Sequence, residues 1–134
     1  MVEASAVWTD RERFIAKASS GHAIVVDAGE EKTANGPMEL VLLGLCSCTA
    51  VDVVTILRKK REPFRGVEVH AEAERAATPP KVYTRIKLVY RVKGKVSRKA
   101  AEDAVRLSEE KYCSVAAMLQ KTARITYSVE LDEK

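Results

Sequence analysis

The sequence predicts an α+β fold in which a mostly antiparallel sheet accompanies one long, buried central helix. Two observations predict this class. Apolar and charged residues alternate along two neighbouring stretches, 67–74 and 82–92, which is typical of paired strands. The stretch from Met38 to Leu57 is apolar on nearly every side, which is typical of a buried helix. The chain has 134 residues, and we expect one domain over residues 1–134.

Three short strands are predicted at the start of the chain, and turn-forming residues separate them. The strands lie at about 3–8, 14–18 and 23–27. A polar loop over 29–36 follows the third strand and leads into the long helix.

The long helix is predicted from Pro37 to about Arg61. Proline suits the first turn of a helix, and Asn35 or Gly36 is the expected cap. Glu39 lies in this first turn, where the helix dipole favours a carboxylate.

A charged hairpin follows the long helix. One face of each strand is apolar, while the other face carries mainly glutamates on the first strand and arginines and lysines on the second. The predicted register pairs these charges as Glu74 with Arg85, Glu72 with Lys87 and Glu68 with Arg91. The hairpin thus neutralises its own basic face. Although the chain has a formal net charge of +4, we therefore expect no binding to nucleic acid.

Two helices and a final strand complete the predicted fold. Ser97 caps a helix over about 98–111. Its narrow core stripe consists of Ala101, Ala104, Val105 and Ser108. A short helical segment over about 115–121 follows Cys113, and an alternating strand over 125–131 ends the order β-β-β-α-β-β-α-α-β.

The sequence predicts a cytoplasmic protein that does not enter a membrane. Its first residues lack the basic region and apolar run of a secretory signal. The longest uncharged apolar stretch, 40–51, has 12 residues and is too short to cross a bilayer.

The long apolar helix also predicts the oligomeric state. One small sheet can cover only one side of such a helix, and a second subunit can cover the other. We therefore expect an obligate homodimer with this helix near the interface.

Cys48 and Cys113 are the candidate catalytic residues. Cysteines in apolar helical patterns are usually inert small hydrophobes, whereas two that meet in a fold can form a redox site. Asp52 follows Cys48 by one turn on the same helical face, and Cys113 begins a helix whose dipole favours a thiolate. Cys46 points about 200° away from Cys48, and no residues have the spacing of a metal site.

Three short motifs occur in a characteristic order along the chain. They are Asn35-Gly36-Pro37-Met38-Glu39-Leu40, Cys48-Thr49-Ala50-Val51-Asp52-Val53-Val54 and Tyr112-Cys113-Ser114-Val115. With these motifs, and with the same order of strands, long helix and charged hairpin, the chain resembles the OsmC/Ohr superfamily. This superfamily contains osmotically induced and organic hydroperoxide resistance proteins. The resemblance covers nearly the whole chain.

The resemblance implies an OsmC-like fold, an intertwined homodimer with two sites at the subunit interface, and a role in oxidative-stress defence. In such a peroxiredoxin-like site, Cys48 would be the peroxidatic thiolate that attacks an organic hydroperoxide or another small electrophile. Cys113 would be the resolving thiol, and an external dithiol would reduce the resulting disulfide. Glu39 and Asp52 are possible supporting residues. No metal, haem or flavin is required.

The sequence departs from the peroxidases of this superfamily at two positions. Those proteins carry a glutamate directly after the proline that starts the long helix, and an arginine upstream of it. Here Met38 follows the proline, Glu39 comes one place later, and residues 26–29 include no arginine. The alternative function is therefore an OsmC-like small-molecule-binding or thiol redox protein without efficient peroxidase activity.

Overall fold

The computed structural model describes all 134 residues, which form two compact units, Met1–Leu43 and Gly44–Lys134. The elements are β1 (Ala4–Asp10), β2 (Arg13–Ala18), β3 (Ala23–Asp27), α1 (Pro37–Lys59), β4 (Phe64–Arg75), β5 (Tyr83–Gly94), α2 (Arg98–Leu107), α3 (Ser114–Leu119) and β6 (Arg124–Asp132). A π-helical turn, Ser108–Tyr112, follows α2. The predicted α+β class and the order of the strands and helices are confirmed.

The first unit contains a three-stranded antiparallel sheet in the order β1-β2-β3. Gly21, with φ of 84°, lies in the turn between β2 and β3, where glycine adopts the left-handed conformation without steric cost. Large apolar side chains of this sheet remain exposed within one chain, among them Trp8 at 64% exposure. The sheet therefore has little core of its own.

The buried carboxylate of Asp27 organises the loop that follows β3. It accepts hydrogen bonds from the backbone N–H of Thr33 and of Gly29, both at 2.9 Å, and from the Thr33 hydroxyl at 2.7 Å. These donors stabilise the ionised form and lower the pKa of Asp27 to about 2. The Asp27 carboxylate thus closes the loop, and donors from the loop itself occupy its acceptor sites.

The second unit contains a three-stranded sheet in the order β4-β5-β6. β4 and β5 are antiparallel in the predicted register, so Glu74, Glu72 and Glu68 lie opposite basic residues of β5 as expected. β5 and β6 are parallel, because the helices between them carry the chain back to the same end of the sheet. The inner face of β5 is fully buried at Ile86, Leu88, Tyr90 and Val92.

The second unit buries one stripe of α1 and the predicted stripe of α2. The α1 stripe consists of residues four apart: Leu45, Thr49, Val53 and Leu57. All four predicted core positions of α2 and the following turn are buried. Within one chain the remaining faces of α1 stay open, and Val51 is 63% exposed. A single sheet covers one face of a helix and leaves the others open.

By length and composition α1 is apolar enough to span a membrane, which the 12-residue uncharged stretch alone did not indicate. The side chain of Thr49 nevertheless forms hydrogen bonds with Tyr90 of β5 and with Ser108. These bonds and the buried stripe make α1 a core helix of the fold.

The role of Asp27 predicts an acid-dependent loss of stability. Its pKa is lowered from 3.8, so its contribution is fully present above about pH 4 and is lost as the pH falls towards 2. Asp27→Asn resembles the protonated carboxyl group and should lower the thermal midpoint at pH 7. The two midpoints should converge near pH 2.

Thermal denaturation of both proteins across this pH range checks the expectation. Glu31→Gln, in the exposed part of the same loop, serves as the control and should behave as wild type. A midpoint difference between Asp27→Asn and wild type that stays constant with pH would contradict the role given to the carboxylate.

Candidate functional site

The two candidate cysteines meet in the second unit. Cys48 lies half-buried on α1, and Cys113, only 3% exposed, lies directly before α3. The Cys48 thiol lies close enough to Cys113 to affect its pKa, and all three cysteines of the chain are free thiols. The structure therefore brings together the residues whose pairing the sequence left open.

The π-helical turn positions Cys113. The predicted helix over 98–111 is in fact interrupted, because α2 ends at Leu107 and a wider turn follows. The Cys113 N–H donates to the Ser108 carbonyl at 2.8 Å, a bond that spans five residues where an α-helix spans four. Turns of this type often occur at functional sites.

The expectation that the helix start favours a Cys113 thiolate is wrong. Its sulfur accepts a hydrogen bond from the Ala116 N–H at 3.4 Å and so caps α3. Burial nevertheless outweighs this donor and raises the pKa of Cys113 to about 12, and the neighbouring Cys48 thiol acts in the same direction. Cys113 is thus held as a neutral thiol at physiological pH.

Cys46 stands apart from this pair. It is half-buried on α1, and burial raises the pKa of its thiol. These properties are those of a packed apolar side chain.

Asp52 begins a continuous chain of hydrogen-bonded side chains. It accepts a hydrogen bond from the Ser108 hydroxyl at 2.8 Å. Ser108 lies 2.7 Å from the Thr49 hydroxyl, which lies 2.7 Å from the Tyr90 hydroxyl. Tyr90 in turn contacts the carboxyl group of Glu109. We call these five side chains the hydroxyl chain; its three hydroxyl-bearing residues are fully buried.

Burial controls the ionisation of the far end of the hydroxyl chain. It raises the pKa of Glu109, and the charge of Asp52 raises it further, while the Tyr90 hydroxyl opposes this shift. Burial likewise raises the pKa of Tyr90. Asp52 is therefore hydrogen-bonded, and its partner belongs to a network with a second carboxyl group.

Four members of the hydroxyl chain were not predicted to be functional. Three of them, Thr49, Ser108 and Tyr90, are polar residues at positions whose periodicity predicts burial. Because buried hydroxyls need hydrogen-bond partners, the sequence pattern indicates a polar network at these three positions. No such pattern indicates Glu109. Its place depends on the π-helical turn, which the sequence pattern did not indicate.

A cavity of about 390 Å³ lies beside Asp52. Its lining consists of Asp52, Thr55, Ile56, Lys59, Lys60, Leu107 and Tyr112. The mixture of apolar and cationic side chains and the volume are those of a site for a small molecule. No group of three or more His, Cys, Asp or Glu side chains is arranged to hold a metal ion.

Glu39 belongs to the first unit, where it stabilises the start of α1. Its carboxylate accepts hydrogen bonds from the Gly36 N–H at 3.0 Å and from the Lys32 ammonium at 2.9 Å. These bonds, led by that from Gly36, lower the pKa of Glu39. Its expected place in the first helical turn is confirmed.

Comparison with known proteins places the chain in a family. Residues 29–128 match the family model for OsmC-like protein. Over 131 residues the chain is 40% identical to Protein YhfA of Escherichia coli strain K12, and the match covers 97% of this chain and 98% of YhfA.

Two solved structures are similar along almost their whole length. A hypothetical protein from Aquifex aeolicus VF5 is 36% identical, with a TM-score of 0.86 and coverage of 99% of this chain and 98% of that one. An organic hydroperoxide resistance protein OsmC from Legionella pneumophila is 18% identical, with a TM-score of 0.74 and coverage of 97% and 96%; it shares the fold. The family match and the likeness to YhfA together show that the chain belongs to the OsmC-like protein family.

Proposed function

We propose that this protein is a cytoplasmic, thiol-dependent reductase of organic hydroperoxides that acts in oxidative-stress defence. The observation that carries the proposal is the close approach of Cys48 to Cys113 in a member of the OsmC-like family. The Legionella protein of the same fold is described as an organic hydroperoxide resistance protein and a predicted redox protein, which supports a redox role.

In the first step, the Cys48 thiolate attacks the terminal oxygen of the hydroperoxide. A sulfur–oxygen bond forms as the oxygen–oxygen bond breaks, so Cys48 is oxidised to sulfenic acid while the peroxide is reduced. The departing alkoxide takes up a proton and leaves as the alcohol. The half-buried position of Cys48 beside other polar groups suits a reagent that must enter from outside.

In the second step, the Cys113 sulfur attacks the sulfur of the Cys48 sulfenic acid. The hydroxyl group leaves as water with the proton of the Cys113 thiol, and a disulfide remains. An external dithiol then restores both thiols by exchange. The raised pKa of Cys113 supports this division of roles, because a buried neutral thiol is a poor first nucleophile. Cys113 therefore reacts only after Cys48 has become the sulfenic acid.

We further propose that the protein is a homodimer and that both units form one domain. Exposed apolar side chains on α1, including Val51, and on the sheet of the first unit, including Trp8, support a partner surface. The family match from residue 29 to 128 runs across the boundary between the two units, which supports a single domain.

A second candidate function is binding of a small apolar or electrophilic molecule without efficient turnover. The cavity beside Asp52 favours it, as does the engagement of Glu39 with Gly36 and Lys32 at the start of α1. A ligand retained through purification, together with hydroperoxide consumption no faster than that of a free thiol, would favour this function over reduction.

The reductase proposal predicts the following behaviour of single variants in stopped-flow consumption of cumene hydroperoxide with a dithiol. Cys48→Ser should lose about a thousandfold or more of the rate, because the nucleophile is gone. Without the dithiol, Cys113→Ser should reduce one equivalent of hydroperoxide, accumulate sulfenic acid and stop. Cys46→Ser, two positions from the nucleophile, is the matched control and should turn over as wild type. Equal slow rates in wild type and Cys48→Ser would rule out the proposal.

The raised pKa of Cys113 predicts a slow reaction with iodoacetamide. Because the thiolate is the reactive form, alkylation of Cys113 at neutral pH should be slower than in the unfolded chain by on the order of a hundredfold, and it should accelerate throughout the alkaline range. Mass-spectrometric peptide mapping measures each cysteine separately. Alkylation of folded and unfolded Cys113 at the same neutral-pH rate would contradict the assignment.

The dimer proposal predicts a solution mass of about twice the 14.8 kDa of one chain in light scattering coupled to gel filtration. Val51→Glu places a charge on the exposed face of α1 and should shift the mass towards one chain or cause unfolding. Val51→Ala removes apolar area without adding a charge and should remain dimeric. A monomeric wild-type protein would refute the proposal.

A further inference from the structure

The hydroxyl chain contains more hydrogen bonds than its hydroxyl protons can supply. Four contacts link its five side chains: Asp52 to Ser108, Ser108 to Thr49, Thr49 to Tyr90, and Tyr90 to Glu109. Each hydroxyl has one proton, and an ionised carboxylate has none. With both carboxylates ionised, three protons therefore serve four contacts.

The direction of each bond makes the shortage explicit. If Ser108 donates to Asp52, then Thr49 donates to Ser108 and Tyr90 donates to Thr49, so Tyr90 has no proton left for Glu109. If Tyr90 donates to Glu109 instead, then Thr49 donates to Tyr90 and Ser108 donates to Thr49. Ser108 then has no proton left for Asp52. Both terminal carboxylates cannot accept at the same time while the central contacts are hydrogen bonds.

A contact without a proton does not fit this environment. The central oxygen–oxygen distances of 2.7 Å are those of good O–H···O bonds. Thr49, Ser108 and Tyr90 are fully buried, so two facing lone pairs there would have no water to relieve them. A fourth proton, carried by one of the two carboxyl groups, satisfies every contact.

We propose that the hydroxyl chain holds one proton shared between Glu109 and Asp52, and that Asp52 delivers it to the alkoxide formed when Cys48 is oxidised. The second part rests on the proposed function. Asp52 follows Cys48 by one turn on the same face of α1, and it also lines the cavity, which can hold the leaving group. Glu109, at the other end, is half-exposed and can exchange protons with water.

The delivery step balances along the chain. The alkoxide takes the proton of the Asp52 carboxyl group and leaves as the alcohol. Before that transfer, Glu109 gives its proton to Tyr90, and each hydroxyl passes its own proton to the next oxygen towards Asp52. Every hydroxyl thus ends with one proton and a reversed hydrogen bond, and Glu109 regains a proton from solvent.

The surroundings of Glu109 favour it as the resting position of the proton, because burial and the charge of Asp52 both oppose its ionisation. Lys59 and Lys60 line the cavity with Asp52, and Lys60 also pairs with Asp103. The phenol of Tyr127 stands edge-on to Tyr90, and the Arg106 guanidinium pairs with Glu110. The neutral Cys113 thiol lies near Tyr90.

Thr49→Val tests the shared proton directly. The substitution keeps the shape of a buried side chain and divides the chain into two pairs, Ser108 with Asp52 and Tyr90 with Glu109. Each pair has one proton for one contact, so the fourth proton is no longer needed. Glu109→Gln is a second variant, because its amide can donate to Tyr90 while no carboxyl proton remains. Thr84→Val, on the exposed face of β5, is the control.

Infrared difference spectroscopy at neutral pH supplies the first measurement and needs no peroxide. Wild type and Thr84→Val should show the carbonyl stretch of one protonated carboxyl group per chain, shifted in D₂O. Thr49→Val and Glu109→Gln should lack it. Absence of this band in wild type, or its persistence in both variants, would overturn the shared proton.

Single-turnover oxidation of Cys48, followed in a Cys113→Ser background, tests delivery. Thr49→Val and Glu109→Gln should slow the formation of sulfenic acid by about 10²-fold, the usual size of general-acid assistance. The loss should be larger for t-butyl hydroperoxide, whose alkoxide is more basic, than for a peroxyacid, whose leaving group needs no proton. Wild-type rates for both variants would overturn delivery while leaving the reductase function intact. Failure of wild type itself to react would refute the reductase function and with it delivery, whereas the infrared test of the shared proton would still stand.

Discussion

The hydroxyl of Thr49 is the interaction on which the second unit depends. It joins α1 to β5 through Tyr90 and to the π-helical turn through Ser108, so three separate stretches of the chain meet at one oxygen. All three side chains are fully buried. Loss of this hydroxyl would remove its hydrogen bonds to Tyr90 and Ser108 at once, each worth about 0.5–1.5 kcal/mol. The apolar stripe of α1 brings the helix to the sheet, and Thr49 fixes the position in which it packs.

The position of α1 then determines the chemistry that its next turn can perform. Cys48 and Asp52 flank Thr49 in the sequence, and each faces a residue at one end of the π-helical turn. Cys48 lies beside Cys113, and Asp52 accepts a hydrogen bond from Ser108. The proposed redox chemistry and proton transfer therefore depend on side chains of the same two elements. A shift of α1 along the sheet would disturb both together.

Much of this arrangement follows from sequence periodicity. The alternation in β4 and β5 predicted their register to the residue, because a shift by one position would turn every charge inwards. The core stripe of α2 and the cap at Ser97 followed from equally local rules. The remaining apolar faces of α1 were expected to meet a second subunit, because one sheet covers only one side of a helix. The electrostatics of Cys113 were predicted with the wrong sign, since the sequence shows that a helix begins there but does not show how deeply the sulfur is buried.

The local sequence rules did not predict the π-helical turn. This turn makes the number of residues in the segment important. A π-helical turn contains one residue more than the α-helical turn it replaces. Deletion of Glu110 or Lys111 would restore a regular helix and rotate everything after it by about 100° about the helix axis. Cys113 would then face away from Cys48, although every side chain of the site would still be present in the sequence. The spacing of these residues is consequently as strict a requirement as their identity, and insertions or deletions here are a more severe change than most substitutions.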